Sequence, residues 1–550
     1  MSSIPPDFPP TCPTCGSRTE TTFYDHPRSS RISELLKCND PPSNGELSDF
    51  QSIVKSGPGH IADLDKKIAR AKQHLAALIQ ERNVLEANIC DARTLSSPIR
   101  RLPSDVLRGI ALATIPSRYR LMNFPIACPG ISNSLDSKES PWTLAQVSHR
   151  WRSIIVSAPE VWSSMALVIK RDEGPVAVAH QMFMAGLRLE RSKLLPLTLS
   201  VSISPKADVS NHPLLLLIST RSSLVRNLRI EASLISYPAF SWWRGRLDQL
   251  YRLTLRDRSR FGREPESSGS IKSVIDAFEY APELKMITVE NFHSSSFHFP
   301  GTQITNLTLI GTIGWEDVQN FRQFQNLIHL HVMYPESGLS VPADHRAIPL
   351  PALTSLTLTY VYHMPNPPPA SLHGSDLIFS LISMPNLTRL QLTYYSGFIV
   401  CPSIPMPNAI TALRIGLDGR CDSMPSSGLS VLLKSVPNLH ELVISPSSMF
   451  PFPYDASRLV ELLMDIPLYH LRTLDLRGSW FQERRRPTRS CMHKFVEIVE
   501  AHTQGNIGEI DKIETVYLRC PLTLDPVYTR RWRSLIDRGL KLVYGHPEPY

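Results

Sequence analysis

One apolar pattern recurs along the second half of the chain and limits the folds that it can adopt. In each copy, an apolar residue is followed by two variable residues, a second apolar residue, one variable residue and a third apolar residue. This alternation is typical of a short strand that is buried on one face. Successive copies start 20 to 42 residues apart, and a unit of that size buries its apolar face only when neighbouring units stack on it. The copies are Val225/Leu228/Ile230, Leu250/Leu253/Leu255, Leu284/Ile287/Val289, Ile304/Leu307/Leu309, Leu327/Leu330/Val332, Leu353/Leu356/Leu358, Leu387/Leu390/Leu392, Ile410/Leu413/Ile415, Leu439/Leu442/Ile444, Leu471/Leu474/Leu476 and Ile513/Val516/Leu518.

Amphipathic helices that end in proline turns precede several of these copies. We predict helices at Ile271–Tyr280, Leu377–Ser383 and Leu429–Ser435, each followed by a proline and the next apolar triplet. The unit of helix, proline turn, strand and loop resembles the leucine-rich repeat. The resemblance implies an α/β fold in which residues 190–550 form an irregular leucine-rich-repeat-like solenoid, or horseshoe. A different α/β arrangement of irregular strands is the alternative.

The copies depart from the leucine-rich repeat at one position. The Asn that normally follows three residues after the last leucine is absent, and that Asn ladder normally satisfies backbone groups at the turn. Its loss predicts an uneven solenoid. The corresponding positions include Arg258, Thr312, Val361, Tyr395, Asp418 and Ser479.

Residues 98–167 carry a second signature. Pro103 and Asp105 suit the start of a helix. The first N–H groups of a helix have no partner in the helix, so a proline, which lacks an N–H, costs nothing there, and the helix dipole favours a carboxylate at that end. An apolar stripe follows on the same helix, and a second stripe at helical spacing runs from Leu144 to Ile155. Short helices bury little surface by themselves, so some of these apolar side chains should face a partner. An ordinary helical hairpin of another domain type is the alternative.

This signature resembles the F-box. The resemblance implies that residues 94–167 form an F-box domain that docks on a Skp-type adaptor, which bridges to a cullin. We expect Trp151 to pack the domain itself rather than the adaptor. The adaptor-binding positions that the resemblance implies are Leu102, Pro103, Val106, Leu107, Ile110, Val147, Trp151 and Ile154.

The N-terminal region divides into two segments. Residues 1–59 are rich in Pro, Ser and Thr, which predicts a disordered tail. Residues 60–93 carry heptads that predict a coiled-coil helix, and a single long helix that folds back on the F-box is the alternative. One heptad position holds Ile61, Ile68, Leu75, Arg82 and Ile89, and the other holds Leu64, Ala71, Leu78, Leu85 and Ala92.

Cysteine usage and charge restrict the partners. Cys12, Cys15, His26 and Cys38 have the residue types of a zinc site but irregular spacing, so we predict unrelated thiols and no cofactor. Nine scattered cysteines without a signal peptide predict a cytoplasmic or nuclear protein. A net charge of +8 without a dense basic stripe argues against nucleic acid, and the apolar runs are too short for a membrane span.

No catalytic signature occurs in the sequence. A phosphate-binding loop, a nucleophile elbow and a zinc-protease helix are all missing, and His440-Glu441 lies on a predicted strand. We therefore predict a non-catalytic protein. Cys491 and Cys520 are the thiols that a ubiquitin-transfer site would have to use, and both have ordinary neighbours.

The strand residues between the apolar positions should face solvent on the opposite side of the sheet. They form a mixed polar set that suits a protein partner. The candidate substrate-binding residues are Arg252, Arg256, His329, His331, Thr357, Arg389, Gln391, Arg414, Asp475 and Arg477, with Thr254, Thr308, Ser355 and Glu441 beside them.

The order of tail, heptad helix, F-box and repeats resembles F-box proteins of the leucine-rich-repeat type, an arrangement familiar from mushroom-forming fungi. The resemblance implies the substrate-recognition subunit of an SCF-type E3 ubiquitin ligase. Its F-box would bind the adaptor and cullin, and its solenoid would bind a protein substrate. A scaffold that acts without ubiquitylation is the alternative, and a nucleic-acid-associated regulator is a third hypothesis.

Overall fold

The computed structural model divides the chain into two compact units, Met1–Leu102 and Pro103–Tyr550. The division falls inside the predicted F-box range. The residues that the structure describes are 29–38, 40–115, 133–171, 173–205, 207, 209–257, 274–292, 294–311, 314–335, 346–361, 374–394, 409–417, 426–446, 460, 463, 466, 468–476, 489–504, 512–518 and 524–544.

The described part of the first unit is helical. Helix α1 spans Ser29–Cys38 and helix α2 spans Asn44–Ser96, followed by a 3-10 helix at Pro98–Arg101. Ser43 caps α2, because its side chain accepts a hydrogen bond from the Glu46 N–H while the Glu46 carboxylate accepts one from the Ser43 N–H at 2.7 Å. The structure therefore differs from the tail predicted for residues 1–59, of which residues 1–28 and 39 lie outside the described residues.

Helix α2 also runs through a proline. Pro58 lies inside the helix, although it has no N–H to donate to the preceding turn. The helix thus covers the whole predicted heptad segment and continues beyond it at both ends.

Short helices begin the second unit. Helix α3 spans Ser104–Thr114, α4 spans Leu144–Val147, α5 spans His149–Ser157 and α6 spans Pro159–Trp162. The Ser148 hydroxyl caps α5 by accepting a hydrogen bond from the Trp151 N–H at 3.3 Å. Helix α3 packs against α5 and α6.

The described residues of the second unit form a parallel sheet of 14 strands that does not close on itself. Each strand pairs with the next strand of the sheet along the chain, and β8 and β10 form a separate two-stranded sheet. The strands are β1 Ser164–Ile169, β2 Leu197–Ile203, β3 Val225–Ala232, β4 Arg252–Asp257, β5 Met286–Glu290, β6 Asn306–Ile310, β7 His329–Pro335, β8 Ile348–Pro349, β9 Ser355–Val361, β10 Ile382–Ser383, β11 Arg389–Tyr394, β12 Ala412–Leu417, β13 Glu441–Pro446, β14 Thr473–Asp475, β15 Thr515–Leu518 and β16 Lys541–Tyr544.

The apolar pattern sets the register of this sheet. The second apolar residue of each predicted copy lies on a strand and stands opposite its counterpart on the next strand, so the prediction of eleven strand segments is confirmed. The sheet also begins earlier than predicted, because β1 starts at Ser164, inside the range 94–167 assigned to the F-box, and extends past its end to Ile169. One buried column contains Leu228, Leu253, Ile287, Leu307, Leu330, Leu356, Leu390, Leu413, Leu442, Leu474 and Val516.

Helices connect many of the strands. The helices predicted at Leu377–Ser383 and Leu429–Ser435 are present with shifted ends. The helix predicted at Ile271–Tyr280 is wrong for its described part, because Ile275 forms a β-bridge with Phe297 and a turn follows. The connecting helices are α7 Pro175–Arg191, α8 Pro213–Ser219, α9 Trp315–Asn320, α10 Gly374–Leu381, α11 Ser426–Lys434, α12 Arg489–Gln504 and α13 Pro526–Asp537.

Threonines stabilise the turns that lead into the central strands. The Thr354 carbonyl accepts hydrogen bonds from the Thr388 N–H and the Arg389 N–H at 3.0 and 2.9 Å, and from the Thr388 hydroxyl at 3.2 Å. Thr411 repeats this contact on the Thr388 carbonyl. This ladder was not predicted from the sequence. It lies at the start of the strands, whereas the Asn position of the leucine-rich repeat lies after them.

The buried column should contribute far more stability than the opposite face of the same strand. Leu356 is fully buried between Leu330 and Leu390, whereas its neighbour Thr357 points to the other side of the sheet and is half-buried. We expect Leu356→Ala to lower the free energy of unfolding by about 2–5 kcal/mol, because it leaves a cavity. Thr357→Ala should cost about 1 kcal/mol or less. Urea unfolding followed by circular dichroism measures both, and equal losses would contradict this assignment of the core.

Candidate protein-interaction surfaces

Helix α3 is apolar on its buried side and on part of its exposed side. Leu107 and Ala111 are fully buried, whereas Val106 and Ile110, one turn apart, are 40% and 36% exposed. Val147 on α4 is 60% exposed. We call Val106, Ile110 and Val147 the helical apolar face. An isolated exposed apolar residue is ordinary, but Val106 and Ile110, one turn apart on the same short helix, resemble the unfilled anchors of an interface, and Val147 adds a third exposed apolar residue on α4.

The other predicted adaptor residues have different surroundings. Trp151 is buried, which agrees with the expectation that it packs the helices themselves. Ile154 is half-buried, Pro103 is exposed and Leu102 is half-buried at the end of the first unit. The structure thus places Val106 and Ile110 on one surface and assigns Leu107 and Trp151 to the interior.

Two tryptophans and two arginines connect this helical segment to the first strands. The rings of Trp142 and Trp162 meet edge to face with centroids 4.8 Å apart, and the Arg191 guanidinium lies 4.5 Å from the Trp162 centroid. The fully buried Arg188 donates hydrogen bonds to the Ser134 and Ser164 carbonyls at 2.8 and 2.7 Å. Burial lowers the pKa of Arg188 to about 9, so its guanidinium stays protonated at neutral pH.

Ser134 also protects the free edge of the sheet. Its N–H and its hydroxyl both bond to the backbone of Ala166 in β1, each at 2.9 Å. The Trp142 indole N–H donates to the Ser134 carbonyl at 2.9 Å. An uncovered edge strand is a site for unwanted pairing, and this contact blocks it at Ala166. The sequence did not reveal that Trp142, Arg188 and Ser134 join these elements, because several of the contacts between them connect residues that are distant in sequence.

The strand residues opposite the buried column form three rows across the sheet, which we call the polar face. Strand register places His331 between Thr308 and Thr357, and Arg389 beside Ser355. The middle row contains Arg229, Thr254, Thr288, Thr308, His331, Thr357, Gln391, Arg414, Val443 and Asp475.

Part of the polar face is buried, contrary to the prediction that these positions face solvent. Thr254, Arg256 and Asp475 are all buried. Neighbouring strands lie only about 4.8 Å apart, so long side chains in one row cover each other. The expectation of solvent exposure is therefore wrong for Thr254, Arg256 and Asp475. His331, Thr357, Gln391 and Arg414 are partly exposed, and His329 and Arg389 are exposed.

An ion-pair chain crosses the first strands of the polar face. Arg229 donates to the Glu231 carboxylate at 2.6 Å, and Arg256 lies 3.1 Å from Glu290 and 3.8 Å from Glu231. Burial raises the pKa of Glu290, and the nearby Arg256 partly offsets that effect. Breaking one member of such a buried chain would leave an uncompensated charge, so the chain holds this part of the face rigid.

The middle of the polar face is largely uncharged. The His331 ring Nε2 lies 3.1 Å from the Thr359 hydroxyl, and Gln391 donates to the Thr393 hydroxyl at 3.5 Å. Burial lowers the pKa of His329, and the charge of Arg389 lowers it further. This stretch is therefore a neutral hydrogen-bonding surface, flanked by Arg252 on β4 and by Arg389 and Arg414 on β11 and β12. Arg477, the last candidate, lies outside the described residues.

The described residues contain no group of three or more His, Cys, Asp or Glu side chains that could hold a metal ion. Of the predicted zinc-type set, Cys12, Cys15 and His26 lie outside the described residues, and the exposed Cys38 donates to the Glu34 carbonyl at 3.1 Å. Cys491 lies in α12, and Cys520 lies outside the described residues.

Comparison with known proteins adds no relative, since no protein-family model and no curated protein matches the sequence. Within the described part of the chain, none of the helices combines the length and the apolar character of a membrane span.

The half-buried His331 predicts a pH dependence of stability. Burial lowers the pKa of His331 to about 4 from an ordinary value of 6.5. The folded state therefore binds this proton more weakly than the unfolded state. The stability that neutral His331 provides is complete above about pH 6.5 and is lost as the pH falls through about 4.

We expect the free energy of unfolding to fall between pH 7 and pH 4 by about 1–3 kcal/mol more in the wild type than in His331→Asn. Urea titrations at a series of pH values measure this difference, and the contributions of other histidines cancel between the two proteins. Superimposable pH profiles would show that His331 is not desolvated in the folded protein.

Proposed function

We propose that this chain is the substrate-recognition subunit of an SCF-type E3 ubiquitin ligase. The observation that carries the proposal is the two-sided apolar character of α3. Leu107 and Ala111 are fully buried inside the protein, while Val106 and Ile110 on the same helix stay 40% and 36% exposed. In the proposal, these two residues and Val147 are anchors for the Skp-type adaptor, and Leu107 and Trp151 shape the helices that present them.

The sheet supports the second half of the proposal, a leucine-rich-repeat-like solenoid that holds a protein substrate. Strands that pair in chain order with an in-register column of leucines are what stacked repeats produce. Substrate would bind on the polar face, where the neutral Thr/His/Gln stretch lies between the half-buried Arg252 and Arg414 and beside the exposed Arg389. Ubiquitin transfer would then occur on the cullin complex, in the cytoplasm or nucleus, and this chain would need no catalytic residue.

The adaptor contact can be tested without disturbing the interior. Val106→Asp/Ile110→Asp places two charges on the helical apolar face and leaves Leu107 and Ala111 in place. Loss of interface anchors typically costs about 2–4 kcal/mol, so we expect the dissociation constant for purified Skp-type adaptor to rise roughly thirty- to thousandfold.

Val176→Asp is the matched control, because Val176 is 83% exposed on α7 and lies outside the helical apolar face. Biolayer interferometry measures adaptor binding, and circular dichroism on the same samples checks folding. Adaptor binding at the wild-type level by the folded double variant would rule out this contact.

A further inference from the structure

Helix α2 exposes a continuous apolar seam. None of its residues is buried, and its seven large aliphatic heptad residues are 48% to 61% exposed. A helix gains most of its stability in proteins from packing an apolar face, so a long helix with this seam in water lacks its main source of stability. The residues are Ile61, Leu64, Ile68, Leu75, Leu78, Leu85 and Ile89.

A parallel pair of α2 helices is unfavourable. Arg82 occupies a seam position, and parallel pairing would place it directly against Arg82 of the second copy. The positions that flank the seam are also mismatched. With Ile61 at heptad position a, Lys67 and Glu81 occupy g positions and Lys72 and Glu86 occupy e positions. In a parallel pair, each g residue would meet the e residue of the next heptad on the second copy. That rule brings Lys67 to Lys72 and Glu81 to Glu86, so both contacts join like charges.

Antiparallel pairing turns the same seam into a complementary one. Aligned with Leu75 against Leu78 at the centre, it places Ile68 against Leu85. Arg82 then lies opposite Ala71, whose small side chain leaves room for the arginine stem to extend past the seam. The Arg82 Nε lies 3.7 Å from the carboxylate of Glu86 on the same helix, and this ion pair remains possible in the antiparallel alignment.

The flanking charges also match in this alignment. When one helix is reversed, its e positions face the e positions of the other helix. Each Cβ tilts towards the N-terminus of its own helix, so the e residues whose side chains lean towards each other form the contacts. Lys72 then meets Glu86 of the second copy, and Asp65 meets Arg93. Ile79, the uncharged e residue, meets its own counterpart and is 45% exposed in the single chain.

Other antiparallel registers are worse. A shift of one heptad in one direction brings Asp65 to Glu86, and a shift in the other direction brings Lys72 to Arg93. The favoured register also makes the paired stretch of the two helices equal in length. It aligns Gly57, beside the internal Pro58 of one helix, with Ser96, the last residue of the other helix. Helix length, side-chain size and charge therefore select the same alignment.

We propose that two copies of this chain associate through an antiparallel coiled coil of α2, centred on Leu75 and Leu78. The proposal does not depend on the ligase function. It gives the protein two copies of each interaction surface, with α2 as the dimer interface.

Charge exchange on the full-length protein tests both association and orientation. The wild type should sediment at twice the 61.9 kDa of one chain. Lys72→Glu and Glu86→Lys should each weaken the dimer at least about tenfold, since attractive contacts become repulsive in both symmetric halves. The double variant should restore the wild-type dissociation constant. Lys66→Glu, on the outward side of α2, is the matched control and should change little.

A parallel coiled coil predicts the opposite result, because each single reversal would replace a like-charge contact with an attractive one. Stronger association of both single variants would therefore overturn the antiparallel proposal. A wild-type protein that stays monomeric at micromolar concentration, with α2 helical by circular dichroism, would overturn self-association altogether.

Disulfide trapping gives a second readout of orientation. Leu75→Cys and Leu78→Cys are prepared separately and oxidised alone or mixed, and mass spectrometry identifies the joined peptides. The antiparallel pair predicts a 75–78 cross-link in the mixture and none between identical positions. Cross-links of 78 to 78 in the single variant would contradict it.

Discussion

Each strand of the sheet carries an apolar row that its neighbours on the two sides must cover. Leu356 on β9 is buried because Leu330 on β7 and Leu390 on β11 lie directly beside it. This dependence of each strand on the next sets the register across the sheet, and register in turn decides which side chains share the polar face. The ion-pair chain from Arg229 to Glu290 exists because three successive strands present those residues at matching heights.

The helical segment and the sheet share residues at their junction. Trp162 ends α6, and its spacing to Met165 and Leu167 repeats the apolar triplet of the later strands. Arg191 over the Trp162 ring and Arg188 on the Ser164 carbonyl then fix the helices against β1. Under the proposed function, this contact would hold the adaptor-binding helices in a fixed relation to the first strands. Deleting residues 98–167 would remove part of β1, so point substitutions are the cleaner test.

Much of the fold was predictable because the leucine spacing is a local signal. The strands that sequence analysis missed break that spacing for physical reasons. A bulge between Leu197 and Thr198 shifts the register of β2, and Gly539 stands where the first apolar residue of the β16 triplet would be. The residues of β1 match the pattern but had been assigned to the F-box range.

The candidate surfaces were only partly predictable. Of the predicted adaptor-binding residues, Leu107 and Trp151 are buried, whereas Val106 and Ile110 are partly exposed. Only the burial of Trp151 had been predicted from the sequence. On the sheet, the burial of Arg256 depends on Glu231 and Glu290, which are distant in sequence and become neighbours only through strand pairing. The contacts of Thr354, Thr388 and Thr411 had a signal in the sequence. In each of these copies a threonine follows the first apolar residue, but only the Asn position had been considered.

In the proposed function, a protein bound on the sheet becomes ubiquitylated because α3 binds the adaptor of the ligase complex. The most direct measurement compares cells that express the wild type or Val106→Asp/Ile110→Asp, and determines the half-life and lysine ubiquitylation of proteins captured by both chains. The account predicts partners that bind both chains equally but are ubiquitylated and short-lived only with the wild type. Equal half-lives of every shared partner would contradict the ligase function and leave the scaffold alternative.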